Sequence, residues 1–251
     1  MKYNFEMIWN GYTICPENWG MKNEIATFHR LYYVYSGEAY CKYADKIVPL
    51  TPGYLYLFPV MAPYTLWQNK EKPLDVLWFH AEMEICLCRD FLSLEIERNS
   101  ALYNLLEAMR LLTDDAEHYE ELLEIFGVFL ELIAEKTCAG ITRNKSMERV
   151  VRYIDSRISD AELDVQEIAD FLGMDRAAFS RKFKKYFNLA PRQYIYAKRM
   201  NKAAIELAKG ASVYQAARMS GYLDEKSFSR AFKRYMEETP SDYRKKRVQL
   251  P

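Results

Sequence analysis

Residues Phe179-Ser180-Arg181-Lys182-Phe183-Lys184 return almost unchanged as Phe228-Ser229-Arg230-Ala231-Phe232-Lys233, and no other feature restricts the fold of this chain so tightly. The copies lie 49 positions apart, and the match continues through Tyr186 with Tyr235, Pro191 with Pro240 and Tyr194 with Tyr243. Upstream the offset is 48, pairing Ala169 with Ala217 and Gly173 with Gly221, so the second copy holds one extra residue just after its glycine. Two copies of one helical unit tolerate an insertion confined to a turn.

Each copy reads as a helix-turn-helix. In the first, Val165, Ile168, Ala169 and Leu172 recur at helical spacing, Gly173 ends the helix, and Asp175 is placed to cap the next one. That second helix buries Phe179 and Phe183 and turns Arg176, Ser180, Arg181, Lys184 and Lys185 outward. In the second copy Val213, Ala216, Ala217 and Ser220 lead to Gly221, Asp224 is the cap, and Phe228 and Phe232 are the anchors. Its exposed face is Glu225, Lys226, Ser229, Arg230 and Lys233. A short helix ending in glycine, then a capped helix with a basic face, is the geometry that lays a recognition helix in a major groove. Between the units, at about 163–187 and about 212–236, Pro191 starts a connector helix over about 191–209. Its inward positions are Tyr194, Ile195, Met200, Ala203, Ala204 and Leu207. At 1.5 Å per residue it spans about 27 Å, suited to two recognition helices in successive major grooves about 34 Å apart.

The net charge of zero conceals a split: residues 1–141 hold 11 Lys and Arg against 21 Asp and Glu, and residues 142–251 hold 24 against 14. A charge run alone is usually a solvated surface. Here the cations fall on the second helices of a duplicated motif, which points to a polyanion partner, duplex DNA. With 251 residues, 50% of them hydrophobic, and no apolar run of about eighteen, two domains and no membrane partner are expected. The N-terminus lacks a signal-peptide layout, and five cysteines show no framework spacing, which fits a reduced, cytoplasmic setting. Cys86-x-Cys88 has no second Cys/His pair nearby, so plain thiols are expected rather than a metal site.

Residues 1 to about 95 read as short strands and turns. Strand candidates are Arg30 to Tyr35, Ala39 to Tyr43, Tyr54 to Phe58, Tyr64 to Trp67 and Leu74 to His80, separated by Ser36-Gly37-Glu38, Ala44-Asp45, Pro52-Gly53 and Pro59. This argues for a sandwich or small barrel. A metal-dependent barrel enzyme needs about three histidines and a carboxylate converging, whereas this chain has His29, His80 and His118 and no His-x-His pair. No catalytic residue, metal or cofactor is expected. Aromatic residues with polar handles suit an organic ligand in a barrel mouth, and Tyr33, Tyr35, Trp67, Trp78 and His80 are the effector candidates. From Leu102 to Lys136 the period is helical, with one stripe of Leu105, Leu106, Met109 and Leu112. After Thr113-Asp114-Asp115 comes a second, of Leu122, Leu123, Phe126, Phe129, Leu130 and Ile133. These helices either pack on the barrel or form a dimer interface. Cys138 to Asn144 reads as a linker, and Ser146 as the N-cap of a helix with Val150, Val151 and Ile154 inward.

The C-terminal residues resemble the AraC/XylS family of bacterial transcription regulators. The carriers are Ile168-Ala169, Phe179 to Lys185, Pro191-Arg192-Gln193-Tyr194, Ser227 to Arg234 and Thr239-Pro240-Ser241-Asp242-Tyr243-Arg244. Two positions depart: Gly221-Tyr222 replaces glycine-phenylalanine, and the usual glycine before Pro240 is replaced within Glu237-Glu238-Thr239. The stretch from Leu50 to Pro59, with Trp78-Phe79-His80, is similar to the cupin-type sensor domain of many members. Trp78 stands where the best-known member has a sugar-contacting tryptophan, while the arginine of that site falls near Ser36.

The resemblance implies an α+β protein. A cupin-like ligand-sensing and dimerisation domain over 1–140 is followed by helices, and then by an all-α double helix-turn-helix over 146–248. It implies a sequence-specific regulator of double-stranded promoter DNA responding to a small organic effector, such as a sugar, acting as a homodimer with RNA polymerase as a further partner. Arg181 and Arg230 lead the base or phosphate contacts. Arg176, Ser180, Glu225, Lys226 and Ser229 reach the groove, and Lys184, Lys185, Lys233 and Arg234 neutralise phosphates. Ala177 stands where some members carry a large base-contacting side chain, so the first helix reads sequence more weakly. Two alternatives stay open: a barrel that only dimerises, and a cupin enzyme with an accessory DNA-binding module.

Overall fold

The computed structural model describes residues 3–83, 87–88, 90–113, 115–137, 145–187 and 189–247. The chain forms two compact units, residues 1–143 and 144–251.

Among the described residues of the first unit, two antiparallel sheets are formed by β1 (Phe5–Ile14), β2 (Gly20–Glu24), β3 (His29–Ser36), β4 (Ala39–Tyr43), β5 (Lys46–Leu50), β6 (Tyr54–Phe58), β7 (Tyr64–Gln68), β8 (Asp75–Met83) and β9 (Leu92–Glu95). The five-stranded sheet runs β1-β8-β3-β6-β9 and the four-stranded sheet runs β2-β7-β4-β5. Side chains alternate between faces along each strand. One face of the larger sheet therefore sends Tyr32, Val34, Tyr56, Phe58 and Val76 toward Ala39, Cys41, Tyr64 and Leu66 of the smaller sheet.

Its other face packs Leu31, Leu55, Leu57, Leu77 and Phe79 against two helices, α1 (Ala101–Leu112) and α2 (Tyr119–Thr137). Ser100 caps α1 by accepting the Tyr103 N–H at 3.2 Å. The buried stripe of α1 is Leu102, Leu106 and Met109; the expected Leu105 and Leu112 are only half-buried. In α2, Leu122, Phe126, Phe129, Leu130 and Ile133 are fully buried and Leu123 is half-buried. Packing on the sheet thus accounts for the apolar stripes of both helices.

The second unit is helical: α3 (Lys145–Arg157), α4 (Val165–Phe171), α5 (Arg176–Phe187), α6 (Pro191–Ala208), α7 (Val213–Met219), α8 (Glu225–Met236) and α9 (Pro240–Arg247). The expected linker lies outside the described residues. Ser146 is not a cap, because α3 already includes Lys145. Val150 and Ile154 are buried as expected, and Val151 is half-buried. The 18-residue α6 has Pro191 at its start, where a missing N–H costs nothing, and buries every inward position expected of it.

Candidate functional site

Both helix pairs close in the same way. After α4, Gly173 adopts φ +63°, the Gly173 N–H donates to the Asp170 carbonyl at 2.9 Å, and the Met174 N–H donates to Ala169 at 2.9 Å. After α7, Gly221 adopts φ +78°, with the Gly221 N–H on Arg218 at 3.2 Å and the Tyr222 N–H on Ala217 at 2.9 Å. These paired bonds are the Schellman closure that glycine permits. The turn then differs by one residue, Leu223, which is 68% exposed.

Aspartate caps follow. Asp175 Oδ1 accepts from the N–H groups of Ala177 at 2.9 Å and Ala178 at 3.0 Å. Asp224 accepts from Lys226 at 3.1 Å and Ser227 at 2.8 Å. Backbone N–H bonds from Ala178 and Ala177 hold the Asp175 carboxyl below the usual aspartate range, and Asp224 is held below it by the Ser227 side chain first and then by the Ser227 and Lys226 N–H groups. Inside, Phe179, Phe183, Phe228 and Phe232 are fully buried.

The opposite faces carry the predicted contacts. On α5, Arg176, Ala177, Arg181, Lys184 and Lys185 are exposed and Ser180 is half-buried. On α8, Glu225, Lys226, Arg230, Lys233 and Arg234 are exposed and Ser229 is half-buried. Arg181 and Arg230 thus occupy equivalent exposed positions on two helices of identical length. Arg234 sits apart from the rest, its guanidinium 5.7 Å from the ring centre of Tyr196 on α6. Arg199 fixes the second unit from within: it donates to the carbonyls of Ile158 at 3.3 Å and Asp160 at 2.5 Å.

The effector candidates do not converge, which corrects the reading of them as one site. Tyr33 and Tyr35 face the helices; Tyr33 is buried in that core and the Tyr35 hydroxyl donates to Glu107 of α1 at 2.7 Å. Trp67 points outward from β7 and stacks on Tyr40 at 5.6 Å. Only Trp78 and His80 lie between the sheets, with ring centres 5.0 Å apart. Around His80 stand Phe28 at 5.3 Å, Trp9 at 6.0 Å and Tyr32 at 6.0 Å. Burial pushes the Tyr32 phenol up to about 12, so it keeps its proton at neutral pH. Nearby, the buried Arg30 donates to Tyr64 and Glu24, both at 2.8 Å. Sequence reasoning did not place Trp9, Phe28 or Arg30 here. The signal for them was parity with Tyr32 and His80, which needs the strand register.

The three histidines are not brought together. His29 pairs with Ala81 and Arg30 with His80, so the two histidines point to opposite faces of the sheet. His118 bonds Asp115 at 2.7 Å beside α2. Among the described residues no group of three or more His, Cys, Asp or Glu side chains is placed to hold a metal. Cys86 lies outside the described residues. Cys15, Cys41 and Cys88 are buried, and burial pushes the thiols of Cys15 and Cys41 up to about 12.

Residues 168–246 match a helix-turn-helix domain family, and residues 10–127 match the AraC-like ligand binding domain. The regulatory protein SoxS of Escherichia coli (strain K12) is 30% identical over 105 residues, 41% of this chain and 97% of SoxS. The chain belongs to the AraC family of transcription regulators. A second AraC-family relative matches along nearly its whole length: the raffinose operon transcriptional regulatory protein RafR of Pediococcus pentosaceus is 24% identical over 267 residues, covering 97% of this chain and 94% of RafR. The fold is also that of unsaturated fatty acid bound ToxT from Vibrio cholerae, with a TM-score of 0.68 at 15% identity, over 99% of this chain and 96% of that one. As an AraC-family regulator the protein pairs an N-terminal ligand-binding domain with a C-terminal helix-turn-helix DNA-binding domain. Among the described residues no helix is long and apolar enough to cross a membrane.

Proposed function

We propose that this AraC-family regulator grips promoter DNA with α5 and α8 in successive major grooves. Arg181 and Arg230 lead the contacts, Lys184, Lys185, Lys233 and Arg234 neutralise phosphates, and Ala177 leaves α5 the weaker reader. The observation that carries the reading is the equivalence of Arg181 and Arg230, each exposed on a capped helix anchored by two buried phenylalanines. The protein works in the cytoplasm as a homodimer with RNA polymerase as a further partner, and no catalytic step is assigned to it. Neutralising phosphates releases counterions, so duplex affinity falls steeply between low and moderate salt. Affinity unchanged over that range contradicts the reading.

The effector is a small organic molecule, with sugars as the first class to test because RafR is named for a raffinose operon. Trp78, His80, Trp9 and Tyr32 offer it stacking faces and hydrogen-bonding groups. One observation favours a second reading, a barrel that only dimerises: Tyr56, Phe58 and Tyr64 fill the interior with almost no exposure. A thermal-shift screen of sugars and related metabolites separates the two, since a ligand of the native state raises the unfolding temperature.

A further inference from the structure

Two clefts open beside the first turns of α6 and share Arg192, Tyr196 and Tyr222 in their walls. One, of about 440 Å³, is also walled by Arg176 from the start of α5. The other, of about 480 Å³, is also walled by Ser227 and Arg234 of α8. Arg192 therefore stands between the two recognition helices without belonging to either.

The walls hold four arginines and a single carboxylate, Asp164. That carboxylate is engaged, accepting the Glu167 N–H at 2.8 Å as the cap of α4. Arg199 is engaged as well, on the carbonyls of Ile158 and Asp160. Exposed Arg176 and Arg192 remain, with Arg234 held over Tyr196.

Two recognition helices in successive major grooves leave the intervening minor groove, about 6 Å wide, facing the protein between them. Its edges are phosphate strands, so a surface at that place must be cationic. We propose that this arginine-walled region receives the phosphate backbone bordering that minor groove, with Arg192 as the clamp. The inference rests on the DNA-binding function and adds a contact outside both recognition helices. A guanidinium suits it, because its fork donates two parallel bonds to one phosphate.

The test uses the full chain and measures affinity for duplex DNA against salt concentration, for the parent, Arg192→Gln and Arg192→Lys. One lost phosphate contact makes the log–log slope shallower by about 0.9. Arg192→Gln is expected to show that change and to weaken binding by the same factor on every duplex, while Arg192→Lys keeps the parental slope. Because Arg192 is exposed, the glutamine variant should unfold at the parental temperature. A parent that binds with an Arg192→Gln line superimposed on its own overturns the clamp and leaves the DNA-binding function standing. A loss that depends on A·T against G·C at the centre of the duplex also overturns it, because the side chain would then be reading the minor groove. A parent that binds no duplex removes the DNA-binding reading itself, and the clamp with it.

Discussion

The indole of Trp78 fills the space that a side chain on Gly11 would need: a methyl group at position 11 would lie 2.7 Å from Cζ2 and 3.0 Å from Cε2 of the ring. The two residues face each other in the register of β1 and β8, and the indole N–H donates to Thr13 Oγ1 at 3.2 Å. Gly11→Ala must therefore displace the ring. We expect altered tryptophan emission and weaker effector binding, with DNA affinity in the absence of effector unchanged. If effector titrations of variant and parent superimpose, the effector lies elsewhere.

At the end of α8, Glu237 holds φ 61°, in the left-handed region. This falls within the stretch where the family's usual glycine is missing, and the structure shows what that glycine would do. A non-glycine residue loses about 1–2 kcal/mol in this conformation, while glycine costs about 0.4–1 kcal/mol through the freer unfolded chain. Glu237→Gly should stabilise the protein by roughly 0–1.6 kcal/mol. A lower denaturant midpoint than the parent's would contradict this.

Asp175 is held below the ordinary carboxylate range by the N–H groups it caps, and Asp224 by a hydrogen bond from the Ser227 side chain together with the N–H groups it caps. A depressed folded pKa contributes stability above the unfolded value of about 3.9 and loses it as pH falls through the folded value. The parent should therefore lose stability below about pH 4. The double variant Asp175→Ala, Asp224→Ala should be less stable at neutral pH and lose less on acidification. Parallel pH profiles for the two proteins would show that the caps contribute no such linkage.

The strands that were legible in the sequence are the interior ones, β3, β4, β6, β7 and β8. The four that were not, β1, β2, β5 and β9, are the edges of the two sheets. An edge strand is free to be polar, short or interrupted, because one side of its ladder faces no partner. Pro49 lies in β5, β9 is only four residues long, and Asn10-Gly11, a dipeptide that ordinarily marks a turn, lies inside β1. The helix-turn-helix units were readable because glycine and aspartate act locally there and the phenylalanines mark the buried face, although Leu172, expected inward, is the half-buried C-cap of α4 and Val213 is half-buried. The effector candidates were misgrouped for a different reason. β3 is buried on both faces, so tyrosines appear at successive positions and composition cannot say that Tyr32, rather than Tyr33, shares a face with Trp78.

If the duplicated helices read sequence, Arg230 is the residue at which base reading is measured most directly. Its fork can donate two bonds to guanine N7 and O6, a pairing worth about 1–3 kcal/mol of discrimination, whereas a phosphate contact carries no base information. Lysine keeps the charge and loses the fork. The measurement is competition binding of Arg230→Lys and parent on a duplex selected by the parent and on its single-mismatch variants, at one salt concentration. The expected result is a preference for the matched duplex reduced by roughly tenfold to a hundredfold, with non-specific affinity little changed. An equal loss of affinity on every sequence would make Arg230 a phosphate clamp and contradict base reading by this helix.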